Sequence, residues 1–323
     1  MNWVEMDIYT TTEGIEAVTG SLLGMGINGF VIKDAKDFQD FLDDKDGNWD
    51  YIDDDLMGLK NCETTVTVYL PENAQGLENL EAMKLELKAL KKRDVNNEFG
   101  RLEYELKNVK EEDWANNWKQ YFHQFYVDDI LIVPSWEEVK AEDKDKMILH
   151  IDPGTAFGTG MHETTQLVIR QLKKYVTPDT EMLDVGTGSG ILGIVALKLG
   201  AKHVLGTDLD PCAVPAVAEN KEANQIVDET FDMVIGNIID DKAIQDQAGY
   251  EKYDIVTANI LADVLIPLTP VIVNQMKKGA YYITSGILDV KEEVVVEAVK
   301  AAGLTVVEVT HQGEWVSVTA RKD

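Results

Sequence analysis

Cysteine is scarce in this sequence of 323 residues, which contains only Cys62 and Cys212. The two lie far apart in unrelated contexts, without the close spacing that holds zinc or builds a disulfide framework. We therefore expect reduced thiols, no metal site and a cytoplasmic location.

Long apolar runs are also absent, because no stretch of twenty uncharged apolar residues occurs. The most apolar region, residues 260–276, is interrupted by Asp263, Pro267 and Pro270. No membrane span is predicted from this pattern. The first residues also lack a basic patch followed by an apolar run, so no secretory signal is predicted.

Basic residues are few: 30 lysines and arginines stand against 58 aspartates and glutamates, a net charge of -28. Affinity for nucleic acid rests largely on lysine and arginine replacing counterions, so this charge argues against a direct nucleic-acid partner. A basic protein would instead be attracted and steered towards the chain. The alternative is that the charge serves solubility alone.

Residues 1–108 are predicted to form a ferredoxin-like α+β domain, because strand and helix patterns follow one another in the order βαββαβ. Four predicted strands and two predicted helices make up this order: strands 3–10, 29–33, 63–70 and 102–107, with helices 12–25 and 77–92. The acidic stretch 43–55 is interpreted as a solvated loop. Residues 109–126 are predicted to be a linker helix with an aromatic face.

Residues 127–323 predict an α/β domain with a doubly wound, mostly parallel sheet. Strand and helix patterns alternate through this half, and two final strands, 304–310 and 315–321, are predicted to pair as a hairpin. Repeated βα units indicate an open sheet with helices on both faces, and the hairpin supplies an antiparallel edge.

Three glycines at alternate positions, Gly186, Gly188 and Gly190, follow a short apolar strand and precede an apolar helix. Glycine is needed where the chain turns sharply and where backbone must approach a ligand, and the helix N-terminus presents unpaired N–H groups. A nicotinamide fingerprint would need a glycine where Ile191 stands. The turn therefore predicts a nucleotide-type cofactor other than a nicotinamide; a purely structural turn is the alternative.

The next predicted strand ends at Asp208, where a carboxylate can accept hydrogen bonds from the hydroxyls of a ribose. Asp208 is therefore the expected ribose ligand, with Asp210 as a second carboxylate beside it. Asn259 follows another strand, and in an open parallel sheet ligands lie beyond the carboxyl ends of the strands. We interpret Asn259 as reaching both the cofactor and an attacking amine; a turn residue ending the strand is the alternative.

The segment Asp152 to Thr165 contains three glycines before a helix and predicts a backbone-rich loop that can close over a ligand. Thr164 and Thr165 begin the helix, so they either cap it or bind the amino-acid end of the cofactor. His162 is a candidate base, a cap or a substrate-orienting contact.

The spacing from Asp184 to Gly190 resembles motif I of the class I S-adenosylmethionine-dependent methyltransferases. Over nearly its full length the chain resembles the PrmA family, which methylates protein eleven of the large ribosomal subunit. The resemblance is carried by five segments: 112–118, 152–165, 183–192, 207–211 and 258–261.

The resemblance implies that Thr165, Gly186, Asp208 and Asn259 contact S-adenosyl-L-methionine, and that the N-terminal domain recognises a basic ribosomal protein. It also implies repeated methylation of lysine and N-terminal amines. The chain has Asn-Ile-Leu where amino-methylating enzymes often carry an Asn-Pro-Pro-Tyr-like motif, and residues 228–249 are interpreted as an elaboration.

Four hypotheses remain open from the sequence. The first is a protein N-methyltransferase with Asn259 and His162 at the reaction centre. The second is a class I methyltransferase acting on RNA or a small amine. The third is a nicotinamide oxidoreductase, opposed by Ile191, and the fourth is a binding module with a vestigial cofactor site.

Overall fold

A computed structural model describes residues 3–27, 29–43, 59–71, 74–107, 123–134, 136–151 and 160–323. The chain divides into two compact units, Met1–Tyr121 and Phe122–Asp323. Three predicted features lie outside the described residues: the acidic loop beyond Asp43, the aromatic linker helix, and positions 152–159 of the glycine-containing loop.

The first unit is an antiparallel four-stranded sheet with helices, in the strand order β2-β3-β1-β4. This is the ferredoxin-like arrangement predicted from the sequence. Its elements are β1 (Trp3–Tyr9), α1 (Ile15–Gly24), β2 (Phe30–Lys33), α2 (Ala35–Asp43), β3 (Thr65–Pro71), α3 (Ala74–Arg93) and β4 (Glu103–Lys107). Helix α2 was not predicted.

The core of the first unit follows from the repeat of two residues along its strands and of 3.6 residues along its helices. Strand β1 buries Val4, Met6 and Ile8, which alternate with side chains on the opposite face of the sheet. Helix α3 buries Leu80 and Met83 three positions apart, which places both on one face. Each such side chain contributes about 1.5–3 kcal/mol when fully buried.

The second unit contains a seven-stranded sheet in the order β10-β9-β8-β11-β12-β14-β13, in which β14 runs opposite to the other six strands. A smaller sheet has the order β5-β6-β7. The strands are β5 (Phe125–Val127), β6 (Ile130–Val133), β7 (Met147–His150), β8 (Glu181–Val185), β9 (His203–Asp208), β10 (Phe231–Ile235), β11 (Tyr253–Asn259), β12 (Met276–Leu288), β13 (Leu304–Gln312) and β14 (Trp315–Lys322).

The helices of the second unit are α4 (Glu163–Tyr175), α5 (Ile191–Lys198), α6 (Ala213–Ala223), α7 (Lys242–Ala248), α8 (Ala262–Ile272) and α9 (Glu292–Ala301), and all except α7 follow the predicted alternation. Side chains of β8 enter two separate buried clusters, Met182 in one and Leu183 in the other. The doubly wound, mostly parallel sheet predicted from the sequence is therefore confirmed.

The interpretation of residues 228–249 as an elaboration needs correction. This segment contains β10, one of the two outer strands of the large sheet, and helix α7. The strand is short, and Asp232 interrupts its apolar residues, so the pattern was too weak to predict it. Strand β5 was also not predicted, and it lies partly within the range assigned to the linker.

The order of the strands reverses beside β8. From β8 the chain proceeds outward through β9 and β10, and it then returns to the other side of β8 as β11 and β12. Such a reversal opens a crevice at the carboxyl ends of the strands, where ligands of open α/β sheets bind. In the described part of the chain, no helix combines the length and the apolar character that crossing a membrane would require.

Candidate active site

The glycine turn joins the carboxyl end of β8 to helix α5. Gly186, Gly188 and Gly190 all have positive φ, at 71°, 53° and 80°, a conformation that residues with a Cβ rarely adopt. The N–H groups of Gly186 and Thr187 donate to the carbonyl of Thr207 on β9, at 2.8 and 3.1 Å. A Cβ added to Gly186 would lie 2.5 Å from Cγ2 of Ile260, so the turn packs closely against the residue after Asn259.

Asp208 lies at the end of β9 and its side chain faces the glycine turn. Its carboxylate accepts hydrogen bonds from the N–H groups of Gly188 and Asp210, both at 2.9 Å. Burial raises the pKa of Asp208, and the backbone donors oppose that rise. Each carboxylate oxygen has a second lone pair, so hydroxyl donors can still be accommodated.

Asp184 is a site residue whose role the sequence analysis missed. It is buried in β8 and accepts hydrogen bonds from the hydroxyls of Thr187, at 2.8 Å, and Thr257, at 2.6 Å. Burial raises the pKa of Asp184 to about 6, while these hydrogen bonds act in the opposite direction. Asp184 therefore ties the glycine turn to β11. Its position between Leu183 and Val185, inside the apolar part of the strand, was the available signal.

Asn259 ends β11 and lies beside the start of helix α4. Its Nδ2 donates to the hydroxyl of the buried Thr165 at 3.2 Å. The backbone after Asn259 is held tightly, because a Cβ added to Gly286 would lie 2.4 Å from the carbonyl oxygen of Ile260. The structure thus brings Asn259 and Thr165 together.

His162 is the N-cap of α4. Its Nδ1 accepts from the N–H of Thr164 at 3.3 Å and lies 2.9 Å from that residue's hydroxyl oxygen. Its ring packs edge-on against Trp315, with centroids 4.8 Å apart. Burial lowers the pKa of His162, so the neutral ring is favoured. The capping role that we considered for Thr164 and Thr165 belongs to His162.

The predicted site residues thus form two groups. Gly186, Gly188, Gly190 and Asp208 lie at the ends of β8 and β9, whereas His162, Thr164, Thr165 and Asn259 lie at α4 and β11. Contact between Gly186 and Ile260 links the two groups. Among the residues that the structure describes, no cluster of three or more potential metal ligands is present.

Comparison with known proteins identifies the family of the chain. The profile of the family described as "Ribosomal protein L11 methyltransferase (PrmA)" matches residues 2–323. The chain belongs to the PrmA family of ribosomal protein L11 methyltransferases.

Individual members of the PrmA family match over the full chain. The "Ribosomal protein L11 methyltransferase" of Lachnospira eligens is 46% identical over 332 residues, covering 100% of both chains. The protein of the same name from Agathobacter rectalis is 46% identical over 328 residues, covering 100% of this chain and 99% of the relative. A crystal structure of ribosomal protein L11 methylase from Lactobacillus delbrueckii subsp. bulgaricus has 32% identity and a TM-score of 0.56, covering 62% of this chain and 100% of that one.

As a PrmA family member, the protein is a methyltransferase of ribosomal protein L11, and its methyl donor is S-adenosylmethionine. The residues present suit this donor chemically. The carboxylate of Asp208 can accept hydrogen bonds from the hydroxyl groups of a ribose. The glycines with positive φ leave room for the cofactor to approach the backbone of the turn closely.

Proposed function

We propose that Gly186, Gly188, Gly190 and Asp208 hold the nucleoside part of S-adenosylmethionine, and that Thr164, Thr165 and Asn259 bind its amino-acid end. The observation that carries this assignment is the meeting of the glycine turn, Asp208 and Asn259 at the order reversal of one sheet. S-adenosylmethionine supplies an electrophilic methyl group when bound.

The proposed acceptors are lysine and N-terminal amines of the substrate protein. An amine must be neutral to attack, and free lysine has a pKa of about 10.4, so the neutral form is scarce at pH 7. Burial in a dry cleft favours that form. Since the Nδ2 of Asn259 already donates to Thr165, its Oδ1 remains directed elsewhere and can accept from the attacking amine.

We assign His162 a substrate-orienting role at the same centre. Its Nδ1 is engaged by the first turn of α4, so the proton of the neutral ring resides on Nε2. His162 therefore helps to hold Thr164 and Thr165 in place rather than removing a proton through Nδ1. Positioning of the reactants can by itself contribute roughly 7–11 kcal/mol in the best intramolecular cases.

The substrate-recognition role belongs to the first unit, residues 1–108 in our proposal, with residues 109–126 as a linker and 127–323 as the methyltransferase domain. One face of its sheet packs on the helices, and the other carries exposed Trp3 and Tyr69. Glu5, which pairs with Tyr69 across the strands, lies on this face with Asp7 and Glu105. Lys107 forms ion pairs with Glu5 and Asp7, so carboxylates outnumber cations among these four residues by three to one. We define this face of β1, β3 and β4 as the open sheet face.

A basic ribosomal protein is the partner that suits the open sheet face, because aromatic side chains supply contact area and carboxylates attract lysine and arginine. Replacing Tyr69 by alanine should raise KM for L11 about tenfold and leave KM for S-adenosylmethionine unchanged. Tyr250→Ala is the matched control, since Tyr250 is an exposed tyrosine of the second unit. An unchanged KM for L11 in Tyr69→Ala would remove the open sheet face as the docking surface.

Incubation with labelled S-adenosylmethionine and ribosomal proteins from a strain lacking this methylation tests the proposed function directly. We expect label in L11, with mass spectrometry locating it on lysine side chains or the N-terminal amine. Label in RNA, or in a small amine alone, would instead favour the second hypothesis. The net charge of -28 opposes a direct nucleic-acid substrate. Because its substrate is a ribosomal protein, we propose a cytoplasmic location.

A further inference from the structure

Two buried asparagines lie outside the proposed cofactor contacts: Asn220 on helix α6, which touches the glycine turn, and Asn224, the C-cap of that helix. Asn220 is 1% exposed and Asn224 is 6% exposed. They are four positions apart, so they occupy the same face of the helix. Amide groups are seldom buried unless they are hydrogen-bonded, so each requires partners.

Asn220 binds the glycine turn itself. Its Nδ2 donates to the carbonyl of Ser189 at 2.9 Å, in a buried contact. Ser189 lies between Gly188 and Gly190, so this bond fixes the middle of the turn. Loss of the donor would leave a buried carbonyl without this partner, and that costs more than the loss of an exposed hydrogen bond.

Asn224 binds strand β7 in the manner of a neighbouring strand. Its Oδ1 accepts from the N–H of His150 at 2.8 Å, and its Nδ2 donates to the carbonyl of the same residue. Strand β7 is an outer strand of its sheet, and Asn224 binds His150 on the side away from β6, where a further strand would bind. The Nδ2 of Asn224 also donates to the carbonyl of Asn220 at 2.8 Å.

We infer that Asn220 and Asn224 form an amide relay that positions the glycine turn for binding of the methyl donor. The relay runs from the carbonyl of Ser189 through both asparagines to the end of β7 at His150. It fixes the backbone that presents the turn, so less ordering is required when the donor binds. Both are positioning residues. This inference rests on the proposed cofactor site at Gly186–Gly190.

Asn220→Asp tests the relay with a change of nearly constant size. It replaces the amide donor by an oxygen that repels the carbonyl of Ser189. We expect KM for S-adenosylmethionine and Kd for S-adenosylhomocysteine to rise about tenfold, with KM for L11 unchanged. The matched control is Asn274→Asp, since the amide of Asn274 also donates to a backbone carbonyl, that of Val271 at 3.0 Å, but is exposed. The control should leave all three constants unchanged.

If Asn220 served only to stabilise the fold, Asn220→Asp would give a different pattern. The variant would have a lower melting temperature and yield less folded enzyme, but its folded fraction would keep the wild-type KM for S-adenosylmethionine. That result would overturn the inference. If Asn220→Asp does not fold, Asn224→Asp provides the second test, because it keeps the acceptor for His150 N–H and loses the two hydrogen bonds that Nδ2 donates to the carbonyls of His150 and Asn220. We expect a threefold to tenfold rise in KM for S-adenosylmethionine there.

The wild-type enzyme separates this inference from the proposed function. If the wild type transfers no label to L11 and does not bind S-adenosylhomocysteine, the proposed function fails. If the wild type does both and Asn220→Asp and Asn224→Asp behave as it does, only the relay is wrong.

Discussion

The side-chain amide of Asn259 donates a hydrogen bond to the hydroxyl of Thr165 at 3.2 Å, joining residues 94 positions apart. Asn259 ends a central strand of the large sheet, and Thr165 lies in the first turn of α4. The bond sets the orientation of the amide, because the nitrogen faces Thr165 and the oxygen is left for another donor. Several predictions about catalysis depend on this orientation.

Asn259→Ala is expected to lower kcat about 100-fold, a loss typical for removal of one group that stabilises the transition state. The Kd for S-adenosylhomocysteine should change less than tenfold, because the glycine turn and Asp208 remain. Steady-state kinetics and calorimetry measure the two effects. Thr165→Val removes the hydroxyl while keeping the shape, and we expect a smaller decrease in kcat. A wild-type kcat in Asn259→Ala would exclude the asparagine from the reaction centre.

Asp208→Asn is expected to weaken binding of S-adenosylhomocysteine by about 10- to 100-fold, since hydrogen bonds to charged groups contribute about 1.5–3 kcal/mol. The asparagine cannot accept on both sides as the carboxylate does from Gly188 and Asp210. Asp232→Asn on the neighbouring strand β10 is the matched control, because Asp232 is exposed. Equal affinities for Asp208→Asn and the wild type would show that the ribose assignment is wrong.

Asp184 should make the free energy of unfolding depend on pH. Burial raises its pKa to about 6 in the folded protein, from 3.8 when exposed. The folded state therefore binds more protons than the unfolded state between these values, so stability falls as the pH rises from about 4 to 6. At pH 7 the loss is on the order of 3 kcal/mol.

Asp184→Asn removes this titration and can keep hydrogen bonds to both Thr187 and Thr257, since hydroxyls donate or accept. Urea unfolding at several values between pH 4 and 7 measures the free energy of unfolding of the wild type and of Asp184→Asn. The other carboxylates titrate in both proteins, so their contribution cancels in the difference. Asp208 is the charged neighbour that also raises the pKa of Asp184. Parallel stability curves for the two proteins would refute the prediction.

His162→Asn is expected to keep both the stability of α4 and most of the activity, because asparagine is a preferred N-cap. His162→Ala should cost about 1 kcal/mol of stability. Burial lowers the pKa of His162 below that of a free histidine, and the neutral ring is the form that caps the helix. The stability that the cap contributes is therefore complete above the pKa of a free histidine, and it is lost as the pH falls through the pKa of His162 in the folded protein. The wild type should therefore lose stability relative to His162→Asn in mild acid. A decrease of more than 100-fold in kcat for His162→Asn would instead identify the imidazole as a base.

Much of the fold and part of the site were predictable from the sequence. The glycines at 186, 188 and 190 indicated the turn because each needs a positive φ, and the structure has all three there. Asp208 was predicted because a carboxylate at the end of a strand is a local feature. In contrast, Trp315 carried no signal of its contact with His162, since the two are distant in the chain.

The sequence by itself determined the helices and strands of both units with few exceptions, the turn conformations and the acidic charge. These depend on local periodicity, glycine and composition. The tertiary structure alone decided which polar groups meet: Thr187 and Thr257 on Asp184, Asn220 on Ser189, and Asn224 on His150. The physical reason is that burial requires each polar group to find a partner, and strand order and helix packing decide which partner is within reach.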